Sequence, residues 1–371
     1  MKKTISMLLV VLFSVSMIFI GAGCKTGSTP ATSAGETTAA AVTTATSETG
    51  TETTKEATSA VASSEIKTIK VGVSWNEKIH ALVQAWQDYM QKYGEEYGKK
   101  NNIKFEWITN VADGDPARQA ANIEDLISQK VDVIVVRAQD AAAIGSSIKA
   151  AKDAKIPIIT FDRESSGEKP DAHVGSDAYA IARQSAEYLA DLLKKNNVQG
   201  VAIELVGDLT DMNAVYFSQA WHDVEKERGQ WKTVVQVPTE WKPEKFRSGV
   251  VSALAAHPEA NVIFVASDFC FDSVKLGLEE AGKLAPIGDP KHIYIATITC
   301  GYQGYDAILK KYIDVASTWE AYFNSVEAIR VITPLALGEI SLGTRHLVPG
   351  RVVTPDTIAN TPYIWMKDYP E

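Results

Sequence analysis

From Ile66 onward the chain alternates short apolar runs with amphipathic stretches, and this alternation constrains the fold more than any other feature. Strands are expected at 68–74, 104–109, 131–136, 156–161 and 172–174, with helices at about 79–100, 116–129 and 142–154 between them. A second series follows, with strands at 200–206, 233–237, 262–266 and 294–298 and helices at about 178–195, 214–228, 246–256 and 271–281. Strands separated by helices of this length form βαβ units, whose strands lie parallel in one sheet. At 371 residues the chain is too long for one typical domain. The expected architecture is α/β: two doubly wound parallel-sheet lobes with a ligand cleft between them. The last stretch breaks the pattern, with a strand at 314–319, a helix at 322–337 and a strand at 345–353. The chain therefore crosses between lobes more than once, which makes a multi-strand hinge. Lobe 1 is assigned to 66–175 plus 320–350 and lobe 2 to 176–319 plus 351–371.

The N-terminus stands outside this scheme. Lys2 and Lys3 precede an apolar run from about Met7 to Ile20, which ends in Gly21, Ala22, Gly23 and Cys24. A basic flank, a short apolar core and small residues make a secretory signal over 1–24, too short to remain as a membrane span. Cys24 resembles the lipidated cysteine of a bacterial lipobox, although Gly21 replaces the usual aliphatic residue; the alternative is a plain secretory peptide. Residues 25–65 follow as a tether. About 28 of the 40 residues from 25 to 64 are Thr, Ser or Ala, a composition that cannot offset the entropy of ordering.

The run Ile156-Pro-Ile-Ile-Thr-Phe-Asp-Arg-Glu164 reads as a buried strand that ends on an acid-base pair. Asp162 and Arg163 then sit at the carboxyl end of a parallel strand, where open α/β sheets bind ligands. An ionised carboxylate only accepts hydrogen bonds and a guanidinium only donates, so together they suit a polyol. The alternative is an ordinary ion pair at a strand end. A net charge of -9 argues against a nucleic-acid surface. No Gly-x-Ser-x-Gly or His-Glu-x-x-His motif occurs, and the six histidines have no spacing suited to zinc. Gly277 to Leu284 has P-loop spacing but lacks the Ser or Thr that would hold magnesium. No metal, cofactor or catalytic residue is assigned. Cys270 and Cys300 either pair or remain as free buried thiols.

Two segments, Asn122 to Val136 and Ala150 to Arg163, resemble the ribose-binding protein family, the sugar-binding components of ABC importers. His173-Val-Gly-Ser-Asp177 follows at the spacing of that family's first crossing between lobes. The resemblance implies closure of both lobes on a monosaccharide, hinge crossings near Gly175, Trp319 and Pro349, and a permease and an ATPase as partners.

The same resemblance extends the site beyond Asp162 and Arg163. Trp75, Asn76 and His80 occupy the loop after the first strand, with a helix cap and packing face as the alternative. Asn213 stands near the place of a family arginine, with an N-cap role as the alternative. Trp241 matches an aromatic position that stacks on a sugar ring, against a core role. Ser267 and Asp268 correspond to a polar pair after a strand, Thr299 to an aspartate, and Trp319 to a glutamine at the second crossing. These departures from the family pattern put plain ribose in doubt.

The reading is a monomeric, non-enzymatic receptor, lipid-anchored through Cys24 on the extracytoplasmic face of the membrane. A sensor subunit for a membrane kinase and a secreted carbohydrate-processing enzyme are the alternatives. Removing Asp162 is expected to abolish binding with little change in the melting temperature of the free protein.

Overall fold

The computed structural model describes residues 65–77, 81–339 and 345–367. The expected signal segment, Cys24, nearly all of the tether and His80 lie outside these residues. The first lobe opens with β1 (Lys67–Trp75), α1 (Ala81–Asn101), β2 (Ile103–Val111), α2 (Pro116–Ser128), β3 (Val133–Val136), α3 (Ile144–Asp153), β4 (Ile158–Phe161) and β5 (Ala172–Ser176). The second lobe runs through α4 (Ala178–Lys195), β6 (Gly200–Val206), α5 (Met212–Arg228), β7 (Trp231–Pro238), α6 (Pro243–Ala256) and β8 (Val262–Val265). It continues with α7 (Phe271–Glu280), β9 (Tyr294–Thr299), α8 (Tyr302–Leu309) and β10 (Val315–Thr318). The chain then adds α9 (Ala321–Ala336), β11 (Arg345–Val348) and β12 (Val352–Val353).

These elements form two sheets of the doubly wound type, ordered β11-β5-β4-β3-β1-β2 and β12-β10-β9-β8-β6-β7. Every pairing is parallel except that of β12 with β10. Helices cover both faces of a parallel sheet, so its central strands are apolar on both sides. The strands β3, β4, β8 and β10 are buried at every position. Local signals set the helix ends. Asp115 caps α2 by accepting from the N–H groups of Ala117 and Arg118, with Pro116 in the first turn, where a missing N–H costs nothing. Gly229 closes α5 in the left-handed conformation, φ 62°.

Two local features depart from expectation. The single strand at 345–353 is two strands, because Pro349 has no N–H to continue a ladder. β11 pairs with β5 in the first sheet and β12 pairs with β10 in the second, so this segment is itself a crossing. The short helix α8 was not anticipated.

Three crossings join the lobes: Ser176 to Asp177, Trp319 to Glu320, and Pro349 to Arg351. They are stitched to one another. Asp177 N–H donates to Val348 O at 3.0 Å and Thr318 N–H to Arg351 O at 2.9 Å. The Arg351 guanidinium takes Glu320 in a two-pronged grip, Nε to Oε1 at 2.7 Å and Nη2 to Oε2 at 3.0 Å. Gly350 fits here because a Cβ would lie 2.5 Å from Thr318 O. Among the described residues no helix is long and apolar enough to cross a membrane.

Candidate functional site

The carboxyl ends of both sheets face one cleft, the general ligand position of open α/β sheets. Residues that directly follow strands supply much of its polar chemistry: Arg137 after β3, Asp162 after β4 and Trp319 after β10. The cleft holds a cavity of about 120 Å³.

Asp162 lies at its centre. It has φ 63°, and the Arg163 N–H donates to Phe161 O at 2.7 Å, closing a γ-turn around it. A positive φ at a non-glycine residue is strained and persists where the surroundings hold it. The turn sends the two neighbouring side chains to different partners. Arg137 Nε donates to Asp162 Oδ2 at 2.6 Å, and Trp319 Nε1 donates to Asp162 Oδ1 at 3.0 Å. Arg163 instead places Nε 2.8 Å from Asp211 Oδ2 on the other lobe. That nitrogen makes no well-aligned hydrogen bond. Asp162 and Arg163 are thus two separate buried ion pairs rather than one.

Arg137 is the principal site residue that sequence reasoning missed. Its Nη1 donates to Asn76 Oδ1 at 2.5 Å, Asn76 Nδ2 donates to Gln139 Oε1 at 3.2 Å, and its guanidinium lies over the Trp86 ring at 5.4 Å. Asn76 is buried and orients Arg137 from behind the cleft wall. The signal that could have found Arg137 was the one that found Asp162, a charged residue ending an apolar strand.

The second lobe contributes from its helix starts and strand ends. Asp211, rather than Asn213, caps α5, accepting from Asn213 N–H at 3.0 Å. Asn213 is left to reach across the cleft, where Nδ2 donates to the Asp162 carbonyl at 3.1 Å. Burial pushes the Asp211 carboxyl up and the Arg163 guanidinium down, with each partner's charge opposing the shift. Ser267 and Thr299 meet at 2.6 Å between hydroxyls and line the cleft. Thr299 and Cys300 both have positive φ, 100° and 57°. Asp268 holds this turn: its carboxylate accepts from the N–H groups of Cys300 and Gly301, each at 2.8 Å. It is fully buried and does not line the cleft, so the expected ligand acceptor is a buried brace for the turn. Burial pushes its carboxyl up to about 8, against the pull of the two backbone donors. Cys270 and Cys300 are both buried, and burial raises the Cys300 thiol well above its usual range.

Aromatic rings form much of the rest of the wall. Trp241 follows Glu240 in a left-handed pair, φ 57° and 52°, and its indole lies directly over Gly207. Trp319 packs edge-on against Phe217 at 5.6 Å. Trp86, Phe269, Tyr302 and Trp365 also line it and were not singled out from sequence. Trp75 is not among them. It is fully buried in the first lobe, edge-on to Phe161, with its N–H on Gln87 Oε1 at 3.1 Å. Among the described residues no cluster of His, Cys, Asp or Glu could hold a metal ion.

Comparison with known proteins places this architecture. The ribose import binding protein of Salmonella typhimurium is 26% identical over 168 residues, which cover 45% of this chain and 55% of that protein. The chain spans about half the length of the curated relatives it matches. A solute-binding protein from Bacillus halodurans, solved with bound myo-inositol, superposes with a TM-score of 0.71 at 22% identity, covering 82% of this chain and all of that one. The fructose-binding periplasmic domain of a hybrid two-component system superposes with a TM-score of 0.69 at 19% identity, covering 78% and 92%. The family model for the periplasmic binding protein domain matches residues 71–340. With two parallel-sheet lobes around a shared cleft, the chain belongs to the periplasmic binding protein domain family.

Proposed function

We propose that the chain is an extracytoplasmic receptor that captures a monosaccharide between its lobes and delivers it, chemically unchanged, to the permease and ATPase of an ABC importer. One observation carries this reading: groups from both lobes converge on Asp162 under an aromatic wall. An ionised carboxylate has about four lone-pair sites, so each Asp162 oxygen keeps room to accept a sugar hydroxyl. The apolar face of a sugar ring packs on the indoles of Trp241 and Trp319. A ligand that touches both lobes favours the closed arrangement selectively, as hinge capture requires.

In this reading Asp162, Arg163 and Arg137 bind from the first lobe, and Asn213, Trp241, Ser267, Thr299 and Trp319 from the second. Asn76 acts through Arg137. Curated relatives named as ribose import binding proteins support the importer partnership. Lipid attachment at Cys24 and a monomeric state complete the proposal.

A second reading keeps the capture and changes the output, with the receptor reporting a sugar to a membrane kinase. The fold shared with a fructose-binding domain of a two-component system supports it. Calorimetry against a panel of pentoses, hexoses and polyols tests the capture common to both. Tight one-to-one binding without product is the expected result. Product formation, or no binding across the panel, overturns it.

A further inference from the structure

Beside the first cavity the cleft holds a second, larger chamber of about 650 Å³. Arg163, Trp241 and Phe269 line both spaces, so the two adjoin. The chambers differ in chemistry. The inner one sets aromatic rings beside buried polar groups, and each Asp162 oxygen holds one protein donor with room for another. The outer one draws polar groups from both lobes, with Gln139 from the first and Asp208, Asp272, Ser273 and Gln303 from the second.

Trp241 is the partition. Its place depends on two features that a plain core tryptophan would not need: a left-handed backbone at both Glu240 and Trp241, and no side chain at Gly207. A Cβ at Gly207 would fall 2.0 Å from the indole. The indole N–H is buried and has no protein partner. An aromatic plate held this way, with one cavity behind it and a polar chamber in front, can carry two rings in succession.

Resting on the monosaccharide reading of the inner cavity, we propose that the natural ligand has two units, a glycoside or disaccharide whose first ring enters the inner chamber and whose second polar unit lies in the outer one. At about 120 Å³ the inner cavity is the smaller of the two. The outer chamber supplies carboxylate, amide and hydroxyl groups suited to a hydroxylated second unit.

The test is calorimetry on the full exported chain with matched pairs: glucose against cellobiose, galactose against lactose, xylose against xylobiose, and each sugar against its methyl glycoside. At least one two-unit probe is expected to bind about ten-fold or more tightly than its single-ring counterpart. Ser273→Tyr, which fills the outer chamber from the half-buried Ser273 position in the first turn of α7, is expected to remove that gain and leave single-ring affinity unchanged. Asp272→Ala provides a second variant that deletes polarity without adding bulk, and thermal melts check that both fold. Equal affinities within every pair, or a gain untouched by both variants, overturns the two-unit proposal while the monosaccharide reading stands. Absence of binding by every sugar overturns both.

Discussion

The indole N–H of Trp319, carried by the second sheet, donates to the carboxylate of Asp162, carried by the first, at 3.0 Å. The bond spans the lobe junction at the floor of the cleft, so it reports on closure and on ligand contact together. Trp319→Phe keeps an aromatic ring and deletes the donor. A hydrogen bond to a charged group contributes about 1.5–3 kcal/mol. Sugar affinity measured by calorimetry should fall by about ten-fold or more, and an unchanged affinity would place the ligand elsewhere.

Asp162→Ala should abolish binding and also lower the melting temperature. The sequence alone suggested a site side chain that could be removed at little structural cost. Arg137 changes that expectation, because it is buried and its Nε would lose its carboxylate. Breaking a buried pair by removing one partner costs about 3–5 kcal/mol. The double variant Asp162→Ala with Arg137→Met should melt higher than the single one in differential scanning calorimetry.

The Asp268 carboxyl gives a pH dependence with a definite sign. Its folded value, about 8, lies above the ordinary 3.8, so the native state holds a proton that the unfolded chain has released. The associated stability is fully present below about pH 4 and is lost as pH rises towards 8. Urea melts at pH 5 and pH 8 should show lower stability at the higher pH, by up to several kcal/mol. In Asp268→Asn that difference should shrink, and a slope unaltered by the substitution would assign it to other groups.

Gly207→Ala should weaken sugar binding about as much as Trp241→Ala does. The added methyl occupies space that the Trp241 ring now fills, so the indole must leave the cleft wall. Comparing the two affinities by calorimetry checks this, and equal affinity for Gly207→Ala and wild type would show that Trp241 is not a contact.

Cys24→Ser should move the protein from the membrane fraction to the soluble extracytoplasmic fraction. The prediction follows from the proposed lipid attachment, since an acyl anchor holds a protein by burying methylene groups in the bilayer. Fractionation and immunoblotting of cells expressing each form decide the matter. Retention of the serine variant in the membrane fraction would locate the anchor elsewhere.

Much of the fold was legible because buried parallel strands leave a plain mark. Val133–Val136 and Ile158–Phe161 are short apolar runs, and the residue after each strand falls where ligands bind. Trp75 was harder to place. Its neighbours along β1 are buried too, so alternation along the strand does not say which side the indole takes. Trp86 lies in an amphipathic helix among core residues, where a cleft-facing ring and a packing ring carry the same signal. Trp365 arrives from a tail with no periodic pattern at all. The division of labour between Asp211 and Asn213 was also out of reach, since both are good caps and only the backbone geometry assigns the role. The two glycines of the Gly301–Gly304 segment hid α8; the second gives room to the Asp268 carboxylate, which a Cβ at Gly304 would meet at 2.2 Å.

The stitching of the three inter-lobe crossings has a mechanical consequence. Arg351 clamps Glu320, and the ladder bonds of Asp177 and Thr318 tie the outer crossings to the same line. Sliding or twisting one half past the other would tear these bonds, whereas swinging about the line that joins them leaves all of them intact. Swinging about that line is therefore the motion these bonds oppose least, like a book on its spine, and in the proposed capture little binding energy would go to taming stray motions.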